Sequence, residues 1–175
     1  MIRLPAVHKI ALALLLGSML VVSGCLVTQY TLIDPASGKV DARFVGDWNS
    51  PSFDSSGRGA GLIIRNLDDK SYYVEWRTKG ESDGVIRAVG QIADIKGVRF
   101  AQLRGLEPDG SISKDWMISR LELSGDTLTI RQLDDKFFDE KKIDSSAALR
   151  STIESNLENA AMYKQDETIV ATRAK

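Results

Sequence analysis

Between Phe44 and Leu133 the sequence breaks into short segments of alternating apolar and polar residues, each closed by a tight-turn signal. That rhythm restricts the chain to antiparallel strands in a sandwich or a barrel. Strands are predicted near residues 45–49, 61–66, 71–77, 85–95, 98–104, 115–123 and 127–133. The stretches Asn66-Leu67-Asp68-Asp69-Lys70, Glu107-Pro108-Asp109-Gly110 and Ser124-Gly125-Asp126 supply residues that tolerate the backbone angles of tight connections. Tyr72, Val74 and Trp76 share one face of their strand, and Tyr73, Glu75 and Arg77 share the other. Leu128 and Ile130 likewise oppose Thr127, Thr129 and Arg131, so each strand is expected to have one buried and one wet face. The segment around 116–123 breaks this pattern: Trp116 and Ile118 oppose Met117, Leu121 and Leu123, which predicts either a bulge or a strand covered on both faces. Gly90, inside the long 85–95 segment, predicts a bend.

Past Leu133 the pattern changes. Asp134-Asp135-Lys136-Phe137-Phe138 reads as a short hook that turns its phenylalanines inward. Asp144, Ser145 and Ser146 offer N-cap oxygens to a helix over 146–162, with Leu149, Ile153, Leu157 and Ala160 or Ala161 on one apolar stripe. Thr168-Ile169-Val170-Ala171-Thr172-Arg173, rich in β-branched residues, predicts a closing strand over 168–173. The folded domain is thus expected to span 44–175. Residues 25–43 form a tether with a turn signal at Asp34-Pro35-Ala36-Ser37-Gly38, apolar enough at Val27, Tyr30, Leu32 and Ile33 to lie against the domain or a lipid surface.

The first 24 residues have a different character. Arg3 and Lys9 precede an apolar run over 10–22, and small residues then lead to Cys25, the layout of an export signal rather than of a spanning helix. The tetrapeptide Val22-Ser23-Gly24-Cys25 resembles the lipobox of bacterial lipoproteins. That resemblance implies a mature chain that starts at Cys25, acylated on its sulfur and on its new amino terminus. Each buried methylene contributes about 0.8 kcal/mol, so two or three acyl chains make desorption negligible. Leu26 follows the cysteine, where aspartate favours inner-membrane retention in some bacteria, so the expected location is the outer membrane on its periplasmic face.

Composition then narrows the chemistry. The chain has one cysteine, Cys25, and one histidine, His8, which lies in the leader. The remaining part has no histidine and no thiol beyond the anchor, which excludes Ser-His-Asp and Cys-His catalysis, histidine acid/base chemistry, zinc sites of Cys or His, and intrachain disulfides. Stability must come from a packed core, for which about 150 residues suffice in one domain. The net charge of −1 becomes about −3 without the leader, and no basic stripe is present, so nucleic acid is not an expected partner. No cofactor and no metal are expected. Asp68-Asp69, Asp134-Asp135 and Asp139-Glu140 are carboxylate pairs of the type that runs glycoside hydrolysis, but each is adjacent in sequence and falls in a turn or loop, where solvation explains it. No Asp-x-Asp-x-Asp-Gly loop is present to hold calcium. Ser55-Ser56-Gly57-Arg58-Gly59-Ala60-Gly61 lacks the lysine and following helix of a phosphate-binding loop and reads as a strand connection.

Gly46-Asp47-Trp48 at the start of the strand region, about seven to eight strands, a helix and a closing strand resemble a lipocalin-type up-and-down barrel. In that family the indole of the Gly-x-Trp plugs the closed end and an arginine packs over it, a place that Arg131 or Arg173 would take. The late Thr-Asp-Tyr element of many lipocalins is absent. The layout also resembles small bacterial envelope lipoproteins without an assigned activity. The resulting expectation is a mainly β, non-catalytic, membrane-anchored protein. Tyr72, Trp76, Phe100 and Trp116 are the candidate ligand-binding residues if the barrel is hollow enough to hold an apolar or lipid-like molecule. If its own side chains fill it, the alternative is a structural or assembly accessory that binds another envelope protein. A carboxylate-based hydrolase is the further alternative.

Overall fold

The computed structural model describes residues 26–51, 61–77 and 84–175. Nine strands form one continuous antiparallel sheet: β1 (Val27–Thr28), β2 (Gly46–Asn49), β3 (Leu62–Asn66), β4 (Tyr72–Arg77), β5 (Val85–Ile95), β6 (Val98–Gly105), β7 (Trp116–Ser124), β8 (Thr127–Leu133) and β9 (Tyr163–Arg173). β2 to β9 follow one another around the sheet, and β9 returns to β2 through Trp48↔Arg173 and Asn49↔Thr172, closing an eight-stranded up-and-down barrel. Closure leaves no free edge among these eight strands, which a sandwich of the same segments would have exposed.

The hairpins follow from local chemistry. Lys96 and Gly97 both take positive φ, 51° and 82°, joining β5 to β6 through the two-residue turn that suits strand twist. Gly90 causes no break: β5 runs on through it, paired with Tyr72 on one side and Leu103 on the other. A β-carbon there would run into the Gln102 carbonyl and Leu103, so the glycine serves close backbone approach rather than a bend. The register of β6 with β7 is also unbroken over Arg99–Leu103, and β7 is covered on both faces rather than bulged.

Two cores result. Inside the barrel, Trp48, Leu62, Ile64, Tyr72, Val74 and Leu128 are buried beneath Phe44. Outside it, Ile95, Phe100, Ile118 and Leu133 form a second core under a helix and the N-terminal segment. The hook is the short helix α1 (Asp135–Asp139), with Phe138 buried and the Phe137 ring edge-on to it at 5.2 Å. Helix α2 (Ser146–Ser155) starts at the Ser145 cap and buries Leu149 and Ile153. It is shorter than the 146–162 expected, because Asn156 leaves the helical conformation and its side-chain amide donates to the Thr152 carbonyl. The last strand begins at Tyr163 rather than 168, since the polar run to Glu167 gives no strand signal by itself.

Residues 26–43, expected as a tether, are a strap laid across the outer wall. The Leu26 N–H donates to the Leu133 carbonyl at 3.1 Å, and Val27 and Thr28 pair with Met117 and Trp116 on the edge of β7 beyond the end of β8. Gln102, fully buried, accepts from the N–H groups of Leu32 and Ile33 at 2.7 and 3.2 Å and donates to the side chain of Gln91 at 2.9 Å. Gln91 in turn donates to the Pro35 carbonyl at 2.6 Å. The strap then descends to a one-turn 3-10 helix, Ala42–Phe44, across the end of the barrel where β2 begins.

Candidate functional site: the barrel interior

Which end is closed follows from the strap. Phe44 is buried at the start of β2, and Trp48 lies fully buried two residues after Gly46, its indole N–H donating to the Phe44 carbonyl at 3.0 Å. The Arg173 guanidinium lies 4.3 Å from the Trp48 ring centre and donates to the carbonyls of Val45 and Arg43 at 2.8 and 2.7 Å. Arg131, the other candidate for this position, lies instead on the outer face, 4.2 Å over the Tyr163 ring. Arg99 adds a second cation at the closed end, 5.4 Å over Phe44 and 3.5 Å from the Asp41 carboxylate. The Tyr72 hydroxyl meets the Asp41 backbone there, accepting from its N–H. Burial pushes the Tyr72 phenol above its usual pKa, while the Asp41 N–H pulls the other way. A side-chain hydrogen bond from Arg43 holds the Asp41 carboxyl below its usual range, against a smaller opposing effect of burial.

Above this plug the barrel encloses a cavity of about 130 Å³. Its wall is mostly apolar, with Tyr72 and Phe44 towards the closed end, Trp76 towards the other, and Ala101, Leu103, Met117, Leu121, Ile130 and Ile169 between. Ser119 and Gln132, register partners across β7 and β8, contribute polar side chains to it. β3, β5, β7 and β9 begin at the opposite end, where the connections 52–60 and 78–83 lie outside the described residues. There Trp76 is only half-buried and its partner Ile86 is 39% exposed. A shallower depression of about 450 Å³, open to solvent, lies beside it between Val85–Arg87 and Gly105–Gly110.

Of the four candidate ligand-binding residues, the structure brings Tyr72 and Trp76 to the cavity and leaves Phe100 and Trp116 outside it. Phe100 is fully buried in the outer core against α2, and Trp116 is buried on the outer face of β7 with the Arg104 guanidinium 4.4 Å over its ring. The alternation of β6 explains Phe100: Ala101 and Leu103 point inward, so Phe100 and Gln102 point outward. The residues missed, Ala101, Ser119, Met117 and Gln132, lie on inward positions of β6, β7 and β8. Strict alternation from Leu128 and Ile130 would have singled out Gln132.

Two of the candidate carboxylates take structural places. Asp68 accepts from the N–H groups of Lys70 and Ser71 and from the Ser71 hydroxyl, which keeps its carboxyl below the usual range. Asp134 caps α1 by accepting from the Lys136 N–H. Among the described residues no three Asp, Glu, His or Cys side chains converge as a metal site would need. Most of the glycine-rich 55–61 stretch and Cys25 itself lie outside the described residues. Comparison with known proteins finds no matching family model, no matching curated protein and no matching solved structure.

Proposed function

We propose that this chain is a lipid-anchored, non-catalytic protein of the bacterial envelope that holds one short apolar or lipid-like chain in a lipocalin-like barrel. The cavity carries this reading. At about 130 Å³ it falls well short of the ~300–1,000 Å³ typical of drug-sized ligand sites. It approaches the ~150 Å³ of an apolar cavity that stays dry and takes up benzene. Its occupant is therefore a single short alkyl chain or a small ring rather than a fused-ring lipid. The apolar wall contributes about 25 cal/mol per Å² of ligand surface removed from water, and Ser119 and Gln132 provide the polar handles that orient a headgroup or carbonyl.

The anchor is Cys25, which closes the lipobox-like Val22-Ser23-Gly24-Cys25. With Leu26 following it, the location is the periplasmic face of the outer membrane. The stack of Arg173 on Trp48 after Gly46 supports the lipocalin-like reading. The engagement of Asp68 and Asp134 in a turn and a cap weighs against the hydrolase reading. The small size of the cavity favours a second reading, an assembly accessory that binds another envelope protein and carries no ligand.

Isothermal titration calorimetry with hexanol and octanoate tests between them. The ligand reading expects saturable binding of both to the unaltered protein, and its loss in Ala101→Phe, whose added ring fills the cavity while the cooperative melt is kept. No binding to the unaltered protein, or equal binding to the variant, removes the ligand reading and leaves the accessory.

A further inference from the structure

Arg120 and Arg131 stand directly opposite each other on β7 and β8. Both guanidiniums lie on the outer face of the barrel against one buried ring, that of Tyr163, at 5.6 and 4.2 Å from its centre. The ring's negative face offsets part of their charge, but like charges opposed across a strand pair repel each other. Among the described residues neither arginine forms an ion pair that would relieve this repulsion. By contrast, Arg43, Arg65, Arg77, Arg87, Arg99 and Arg173 are each paired with an aspartate or a glutamate.

The donors of the two arginines are also largely unspent. Arg120 uses Nη1 alone, donating to the Leu157 carbonyl at 3.1 Å and to the Tyr163 hydroxyl at 3.2 Å. Arg131 donates to no protein atom among the described residues and only stacks. Both side chains are half-buried, yet the one nitrogen sealed from water without a partner among the described residues belongs to Arg104. The free N–H groups of Arg120 and Arg131 therefore reach solvent, side by side. Thr168, the register partner of Arg131 on β9, adds an exposed hydroxyl on the same face.

We infer that Arg120 and Arg131 form a binding site for a phosphate group on the outer wall, separate from the barrel interior. A carboxylate is satisfied by one guanidinium fork, whereas a tetrahedral phosphate offers oxygens to two forks at once. Its negative charge also removes the repulsion between the arginines. Because both guanidiniums rest on a buried ring and rise from paired strands, little side-chain freedom is lost on binding. Glu122, on the same face of β7 and diagonal to Arg131, is exposed and makes no ion pair with it, so its charge opposes the incoming anion. The group is a free phosphate or the phosphate of a lipid headgroup.

Arginine side-chain NMR of the folded protein tests this, with potassium phosphate titrated against potassium chloride at equal ionic strength. Saturable shifts are expected at Arg120 and Arg131. Arg65, which is ion-paired, and Arg104, which stacks on Trp116 at 4.4 Å, should not move. Arg131→Gln should weaken binding at Arg120 about tenfold, through loss of one charge-assisted fork. Glu122→Gln, at an exposed position, should strengthen it and keeps the test open if the arginine variant fails to fold. Dihexanoyl phosphatidate below its micelle concentration separates the sources: tighter binding than inorganic phosphate assigns a lipid headgroup, and equal binding a free phosphate. No response to either phosphate, shifts of the same size at Arg65 and Arg104, or the same shifts with chloride overturns the site.

Discussion

Arg173 and Trp48, 125 positions apart in sequence, form one unit at the closed end, the guanidinium 4.3 Å from the ring centre. Gly46 makes room for it: its φ is 152°, and a β-carbon there would run into the Arg173 guanidinium. The arginine also ties the last strand to the strap by donating to the carbonyls of Val45 and Arg43. Trp48→Ala should therefore lower stability by about 3–5 kcal/mol, as expected for a large ring fully buried in a core. The exposed Glu122→Ala should stay within about 0.5 kcal/mol. A double-mutant cycle between Trp48 and Arg173 should give a coupling of roughly 1–2 kcal/mol. Urea unfolding of the five chains (unaltered, Trp48→Ala, Glu122→Ala, Arg173→Ala and Trp48→Ala with Arg173→Ala) measures all three, and zero coupling would make the stack incidental.

Gln102 is the pin of the strap, fully buried with its carbonyl oxygen shared by the Leu32 and Ile33 N–H groups. Gln102→Leu keeps much of the volume but leaves two backbone donors without their acceptor, at about 1–3 kcal/mol for each buried group left unsatisfied. Hydrogen exchange at Leu32 and Ile33 should accelerate while exchange at Ala88 and Leu128 inside the barrel stays slow. Uniform acceleration would show that strap and barrel open as one unit.

The strands were legible in the sequence because each depends on alternation and turn residues a few positions apart. Tyr72 and Trp76 could be placed inside for the same reason. Phe100 and Trp116 could not, because an aromatic on a strand suits either face until its covering is known, and the cover here is a helix and a strap distant in sequence. The strap itself was half legible: Leu32 and Ile33 are apolar enough to pack, but their acceptor is Gln102, about 70 residues on, and no local pattern announces such a pair. The helix was overextended because the apolar stripe runs on through Leu157, whereas Asn156 decides the end.

The single histidine of the chain is His8, so residues 26–175 carry no imidazole, and stability should be flat from about pH 5 to about pH 9. Asp41, Asp68 and Asp109 have lowered pKa values in the fold, held down first by side-chain hydrogen bonds from Arg43, Ser71 and Ser111. Their stabilisation is complete above the ordinary carboxylate pKa of about 3.9 and is lost as pH falls through the lower folded values. Tyr72 and Tyr73 are shifted up, burial being the main cause, so their contribution is complete below about pH 10 and is lost as pH rises through the folded values. Melting temperature against pH checks both limbs, and Asp68→Asn should flatten the acid one. A step between pH 6 and 7 would contradict this assignment.

The proposed function depends on membrane attachment through Cys25, and incorporation of labelled palmitate into the chain made in its native host tests it most directly. The unaltered protein should carry the label on a species that begins at residue 25, whereas Cys25→Ser should carry none and keep its leader. Label retained by Cys25→Ser, or an unaltered protein without label, would contradict the account.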